Sequence, residues 1–149
     1  MIMNEETIFK VTEGRYIIHA YKVVDEDPDI SHLGEYAATP AKVHIDRKER
    51  GDMGRNEFRY FNLGTGDADY IEQDYKRAEA YNRGEWCMMG VCVDISVKTK
   101  TNWAVPPVVG KASLWGIESD SDPSYFDQVA NELVSEAKAD LKNLRQAVK

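Results

Sequence analysis

The sequence predicts an α+β fold, a mainly antiparallel β-sheet of about five strands with one mid-chain helix and a long C-terminal helix packed on it. Three observations carry that expectation. Glu85 to Lys100 alternates apolar and polar residues along its length, and Asp122–Pro123 opens a stretch free of further Pro or Gly that carries an apolar stripe at helical spacing. The order of elements, β, β, β, α, β, β, α, then brings helices onto a face of an antiparallel sheet. With 149 residues, 42% of them hydrophobic, the chain can bury roughly 70% of its unfolded surface. One acidic domain over residues 1–149 is expected, with no need of disulfide or metal to fold. No internal repeat, low-complexity segment or linker interrupts it.

The elements follow in order. Tyr16 to Val24 (YIIHAYKVV) is β-branched and aromatic and stops at DEDPD, a turn composition, so it reads as a strand. Residues 25–40 hold two prolines and Gly34 and show no period, which predicts a long connection touching the core through Leu33 and Tyr36. Ala41 to Asp46 sets Ala41, Val43 and Ile45 against Lys42, His44 and Asp46, a short half-buried strand. After RKERGDMGRN, Glu57 to Leu63 resumes strand composition, and the pair reads as an open hairpin.

Gly64 to Gly66 breaks that pattern. Asp67 offers an N-cap to ADYIEQDYKRAEAYNR, and Gly84 stands where a helix places its C′ residue, so a helix of about four turns is expected. In the strand that follows, Cys87, Met89, Val91, Val93, Ile95 and Val97 share one face. Met88, Gly90 and Cys92 begin the other, which turns polar at Asp94, Ser96 and Lys98, so only its first half is expected to be covered. Val108 to Glu118 forms a hairpin with it, the simplest connection. In the C-terminal helix, Phe126, Val129, Leu133, Ala137, Leu141, Leu144 and Val148 make the stripe. Glu132, Glu136 and Asp140 lie on one flank, and Lys138, Lys142, Arg145 and Lys149 on the other.

Charge is the most informative property. There are 19 Lys and Arg against 26 Asp and Glu, a net charge of −7. Two blocks hold more than all of it. Val23 to Ala41 contains Asp25, Glu26, Asp27, Asp29 and Glu35, and Ala112 to Ala137 contains Glu118, Asp120, Asp122, Asp127, Glu132 and Glu136, with no Lys or Arg in either. The rest of the chain is slightly basic. Such blocks suit a basic protein partner or imitate nucleic-acid phosphates, and acids near a helix start also serve the helix dipole. The balance weighs against direct nucleic-acid binding, which draws its affinity from clustered Lys and Arg.

Motif chemistry is sparse. Cys87 and Cys92 are five apart on one strand and point to opposite faces, so they cannot bridge each other within it, and an apolar strand is a poor setting for a catalytic thiol. His19, His32 and His44 with these cysteines show no zinc-ligand spacing. Glu118 to Asp122 alternates oxygen-bearing residues but lacks the Gly and the distal Glu of a calcium loop, and reads as a strand-to-helix cap. Gly64 and Gly66 in GTGD lack the lysine of a P-loop. Glu72, Asp74, Glu79 and Asp94 could serve acid–base chemistry, with nothing placing two of them around one cleft. Arg47, Arg50, Arg55, Arg59, Tyr60 and Phe61 could stack on bases, but Asp46, Glu49, Asp52 and Glu57 interleave with them, which favours a solvated, self-paired hairpin. No cofactor, metal or catalytic residue is implied.

The phrases HLGEY at 32–36, HIDR at 44–47, RGDMGRNEFRYFN at 50–62, YIEQDYKRAEAYNRGEW at 70–86 and SLWGIESDSDPSY at 113–125 together resemble a widespread, uncharacterised family of small proteins encoded by tailed bacteriophages and prophages. The resemblance covers most of residues 30–135; the stretch between Arg59 and Tyr70 is short beside longer members. It implies a context, a protein made in the cytoplasm of a bacterial host, and transfers no activity or site residue.

The function expected on these grounds is that of a non-enzymatic phage accessory protein that binds and inhibits a host protein, such as a defence nuclease of the CRISPR or restriction type. Asp25, Glu26, Asp27, Asp29, Glu118, Asp120 and Asp122 would form its contact surface, with Tyr36 or Tyr125 as aromatic anchor. An alternative is a small-ligand protein or minor enzyme, with a pocket between the sheet and the Tyr70–Tyr81 helix lined by tyrosines and Trp86 or Trp115. A third is a self-assembling phage component that forms homo-oligomers through its C-terminal helix. MIMNEETIF lacks the basic segment and apolar run of a signal peptide, and no window approaches about 18 apolar residues, so no membrane association is expected.

Overall fold

The computed structural model of the chain describes residues 5–54, 56–100 and 106–147, with side chains as far as Lys142. Arg55, Val148 and Lys149, with the side chains of Leu144 and Arg145, lie outside the described residues. In chain order the elements are β1 (Glu5–Glu13), β2 (Tyr16–Val24), β3 (Gly34–Ala37), β4 (His44–Asp46), α1 (Arg47–Arg50), β5 (Tyr60–Leu63), a 3₁₀ turn (Ala68–Tyr70), α2 (Ile71–Asn82), β6 (Met88–Val97), β7 (Val108–Glu118) and α3 (Pro123–Ala147). Every strand pairing is antiparallel, and the fold class is α+β. Among the described residues no helix is long and apolar enough to cross a membrane.

The strands form two sheets rather than one of five. The first runs β1-β2-β6-β7 and the second β3-β5-β4. They belong to two compact units, Met1–Glu26 with Cys87–Lys149, and Asp27–Trp86, the second inserted in the chain between the paired strands β2 and β6.

In the first unit, alternation does what the sequence predicts. Met89, Val91, Val93 and Ile95 of β6, with Ile18 and Ala20 of β2 and Ala112 and Ile117 of β7, meet Phe126, Val129, Ala130, Leu133 and Ala137 of α3. Each large apolar side chain so buried contributes about 1.5–3 kcal/mol. The α3 stripe is the expected one, with Leu141 partly buried at its end. Asp122 caps this helix through the Ser124 N–H, 2.9 Å away, and that bond holds its carboxyl below the usual range. β1 is a strand the sequence reading did not assign; it is an edge strand with mostly exposed residues and carries little period-two apolar signal.

In the second unit, Phe61 of the central strand β5 is fully buried, paired with Ile45 and edge-on to Tyr36. Tyr75 and Ala78 of α2 are buried too, as is Leu33. The predicted 25–40 connection contains the four-residue strand β3, too short for a period to register. The predicted helix is there, preceded by the 3₁₀ turn that Asp67 caps, and Gly84 has φ +77°, the left-handed C′ position. Where the open hairpin was expected to turn, Arg47–Arg50 forms a helical turn capped by Asp46.

Candidate functional site

The β2–β6–β7 ladder decides where the acidic blocks go. Asp25 N–H donates to the Met88 carbonyl at 2.9 Å, and Met88 lies in register with Glu118. Two strand spacings therefore separate Asp25 from Glu118, about 10 Å. Beyond β7, Ser119 N–H donates to the Cys87 carbonyl and Cys87 N–H to Ser119 Oγ. Ser121 N–H then closes a turn on the Glu118 carbonyl, carrying Asp120 and Asp122 round to the start of α3. Asp25, Glu26, Glu118, Asp120 and Asp122 thus belong to one end of one sheet. Glu26, Asp120 and Asp122 are exposed, while Asp25 and Glu118 are partly covered. Tyr125, in the first turn of α3, is 42% exposed.

A further aromatic stands beside this end. The bulge between Leu114 and Ile117 of β7 leaves the Trp115 indole lying on Gly90, where a Cβ would come within 2.6 Å of its Cδ2 and Cζ3. The ring is 49% exposed. The sequence reading gave Trp115 a different role, in the wall of a pocket between sheet and helix; SLWGIES itself showed a tryptophan followed by glycine in a strand, a pattern of bulges.

Asp27, Asp29 and Tyr36 belong to the second unit. Asp29 accepts from Ser31 N–H, which lowers its pKa. Tyr36 is half-buried: its hydroxyl donates to Glu79 Oε2 at 3.1 Å and accepts from Asn82 Nδ2. Burial, then the Glu79 charge, pushes that phenol's pKa well up.

Arg47 is the principal correction to the expected solvated hairpin. It is 1% exposed. Nη1 donates to the Asn56 and Phe58 carbonyls, Nη2 to those of Asp52 and Met53, and Nε to Tyr75 Oη, with Glu79 Oε1 3.5 Å from Nη2. One guanidinium thereby collects the carbonyls of Asp52, Met53, Asn56 and Phe58 and ties them to α2. Arg59 keeps the expected pairing within the hairpin, bidentate with Asp46, while Arg50 pairs instead, also bidentate, with Glu72 of α2. Tyr75, Glu79 and Asn82 fall on one face of α2 at i, i+4 and i+7, a core spacing occupied by polar groups; that was the legible signal for this network.

Above Arg47 opens a cleft of about 670 Å³, lined by Asp52, Met53, Gly54, Asn56, Glu79, Asn82 and Arg83 besides Arg47. Its lining residues are mostly polar or charged, without the expected tyrosines or Trp86. Trp86 is buried, its N–H donating to the Arg77 carbonyl and its ring covered by the Arg77 guanidinium at 3.9 Å and by Tyr81. The glycines at 64 and 66 offer no phosphate cradle. Carbonyls of Ser31 and His32 press on the first, and the Asp74 carboxylate lies 2.7 Å from where a Cβ of the second would be. Among the described residues no group of three His, Cys, Asp or Glu could hold a metal ion, and both cysteines are free.

Comparison with protein-family models, curated proteins and solved structures returns no match.

Proposed function

We propose that the chain is a non-enzymatic bacteriophage or prophage accessory protein that docks its acidic sheet end on a basic surface of a host protein and blocks it. A nucleic-acid-binding nuclease of host defence is the target class that such a surface fits. The observation that carries this reading is the Asp25–Met88–Glu118 juxtaposition, which unites acids from both blocks beside two half-exposed aromatics, Trp115 and Tyr125.

Charge and anchor divide the work. Carboxylates steer a basic partner and set a salt-dependent association rate. Large aromatic side chains supply contact area, and tryptophan and tyrosine are the residue types on which interface energy concentrates. Asp122 is committed to capping α3, so its reversal would weaken the fold as well as any contact. Glu26 and Asp120 are both exposed, and their reversal leaves the Asp122 cap in place.

The test is capture from a host lysate at low and high salt, followed by reconstitution with the purified captured protein. Glu26→Lys with Asp120→Lys should raise Kd about tenfold or more and flatten its salt dependence. Unchanged affinity in that folded variant rejects the acidic face as the contact. A small-ligand reading attaches to the 670 Å³ cleft of the second unit; a ligand bound there would raise the thermal midpoint, and Arg83→Ala would cancel the shift.

A further inference from the structure

The face of the four-stranded sheet opposite α3 is neither apolar nor randomly polar. Register sets it out in rows across the strands. Lys10, His19, Asp94 and Lys111 form one row; Thr7, Tyr21, Cys92 and Ser113 form the next; Glu5, Val23 and Gly90, with Trp115 over the glycine, form the third. The side chains interact accordingly. Tyr21 Oη donates to Asp94 Oδ2 at 3.1 Å, His19 and Tyr21 rings lie 4.8 Å apart at 33°, and Thr7 Oγ1 is 2.9 Å from His19 Nε2. A depression of about 260 Å³ lies over this face, lined by Tyr21, Cys92, Asp94, Lys111, Ala112 and Ser113.

We infer that this depression is a nucleotide-binding site, with the base over Cys92 beside Tyr21, the ribose against Asp94 and the phosphate at Lys111; Trp115, over Gly90, stands one row beyond the base. Each part of the ligand answers one part of the face. The half-exposed Trp115 ring and the partly buried Tyr21 ring offer stacking to a base, a contact worth about 1–3 kcal/mol per base. A carboxylate that already accepts one hydrogen bond from Tyr21 keeps lone pairs for ribose hydroxyls. Lys111 is exposed and stands directly opposite Asp94 on β7, so a phosphate beside the ribose meets an ammonium. Successive rows lie about 7 Å apart along the strands and neighbouring strands about 5 Å apart, so the base lies one row from the ribose at Asp94 and the phosphate at Lys111 lies one strand across from it.

The charge of the sheet has the same polarity. Asp25 and Glu118 stand at the end beyond Trp115, and Lys10 and Lys111 at the other, so a phosphate has one favourable orientation. Burial and the Asp94 charge push the Tyr21 phenol's pKa up, so it stays protonated and its hydrogen bond to Asp94 persists at neutral pH. The net charge of −7 weighs against a general phosphate surface; this row is a local exception to it. The site does not depend on the acidic end being a partner contact.

The experiment titrates the full chain with AMP, GMP, CMP, UMP, inorganic phosphate and a short single-stranded oligonucleotide. It follows tryptophan emission, thermal midpoint and alkylation of Cys92. A nucleotide should quench Trp115, raise the midpoint and protect Cys92, while phosphate alone does none of these. Lys111→Glu should weaken binding about tenfold or more. Trp115→Phe should remove the quench and keep the thermal shift, and Glu136→Gln, exposed on α3, should leave binding intact. Tighter binding of the oligonucleotide identifies a single strand as the source of the nucleotide, and equal or weaker binding identifies a free nucleotide. No response to any nucleotide at millimolar concentration overturns the inference, as does binding that is unchanged in the folded Lys111→Glu protein.

Discussion

The indole of Trp115 packs against Gly90, so closely that a Cβ at position 90 would come within 2.6 Å of its Cδ2 and Cζ3. One glycine on a central strand thus fixes the pose of a half-exposed aromatic on the neighbouring strand. Gly90→Ala should cost about 1–3 kcal/mol by overpacking. In a Trp115→Ala background the same change should be near neutral, since the colliding ring is gone. A double-mutant cycle by urea denaturation measures the coupling, and additive effects would show that the two residues do not touch.

Arg47 should be the most sensitive position of the second unit. Arg47→Met keeps the volume and removes the donors, leaving the carbonyls of Asp52, Met53, Asn56 and Phe58 and the Glu79 carboxylate without a guanidinium. Breaking a buried ion pair in this way costs about 3–5 kcal/mol. Hydrogen exchange should show the loss first around Asp52, Met53, Asn56 and Phe58. Protection there equal to the native protein's would mean that the guanidinium does not hold these residues.

Asp46 gives stability an acid limb. Its carboxylate accepts two hydrogen bonds from Arg59 and one from the Glu49 N–H, and its pKa falls to about 2. An unfolded aspartate titrates near pH 3.9. The depressed value stabilises the fold fully above that pH and is lost as pH falls from there through about 2. Asp46→Asn should therefore flatten the decline of the urea midpoint over this window, with the two proteins converging at the acid end. Parallel curves would assign the acid sensitivity elsewhere.

Cys92 should be a sluggish nucleophile. Burial first, and then the Asp94 and Glu5 charges, push its thiol's pKa above the ordinary value, and only the thiolate reacts. In a Cys87→Ser protein at pH 8, iodoacetamide should modify Cys92 more slowly than free cysteine, and Asp94→Asn should speed the reaction. A rate equal to that of free cysteine would contradict the burial.

Local pattern made much of the fold legible. The alternation of Met88–Val97 and the stripe of α3 were readable because a buried face repeats every two residues in a strand and every 3.6 in a helix. β1 and β3 were not, the one being an exposed edge and the other four residues long. No composition change marks residues 26–27 or 86–87, yet the chain forms its two units there. Of the candidate site, the acids and aromatics could be named from sequence, but not their neighbours. Arg47 looked like one of several solvated arginines because nothing local distinguishes a guanidinium that meets carbonyls from one that meets water.

The sequence by itself determined the α+β class, the core faces, the helix caps at Asp67 and Asp122, and the two acidic blocks, all of which depend on residues near one another in the chain. Only the tertiary structure decided that Asp25 stands two strands from Glu118, that Trp115 rests on Gly90, that Tyr21, Asp94 and Lys111 share a face, and that Arg47 is buried. Those relations depend on the offset at which distant strands pair and on which loop folds over which helix. Backbone hydrogen bonding is nearly the same at every offset, so the choice belongs to the packing of the whole unit.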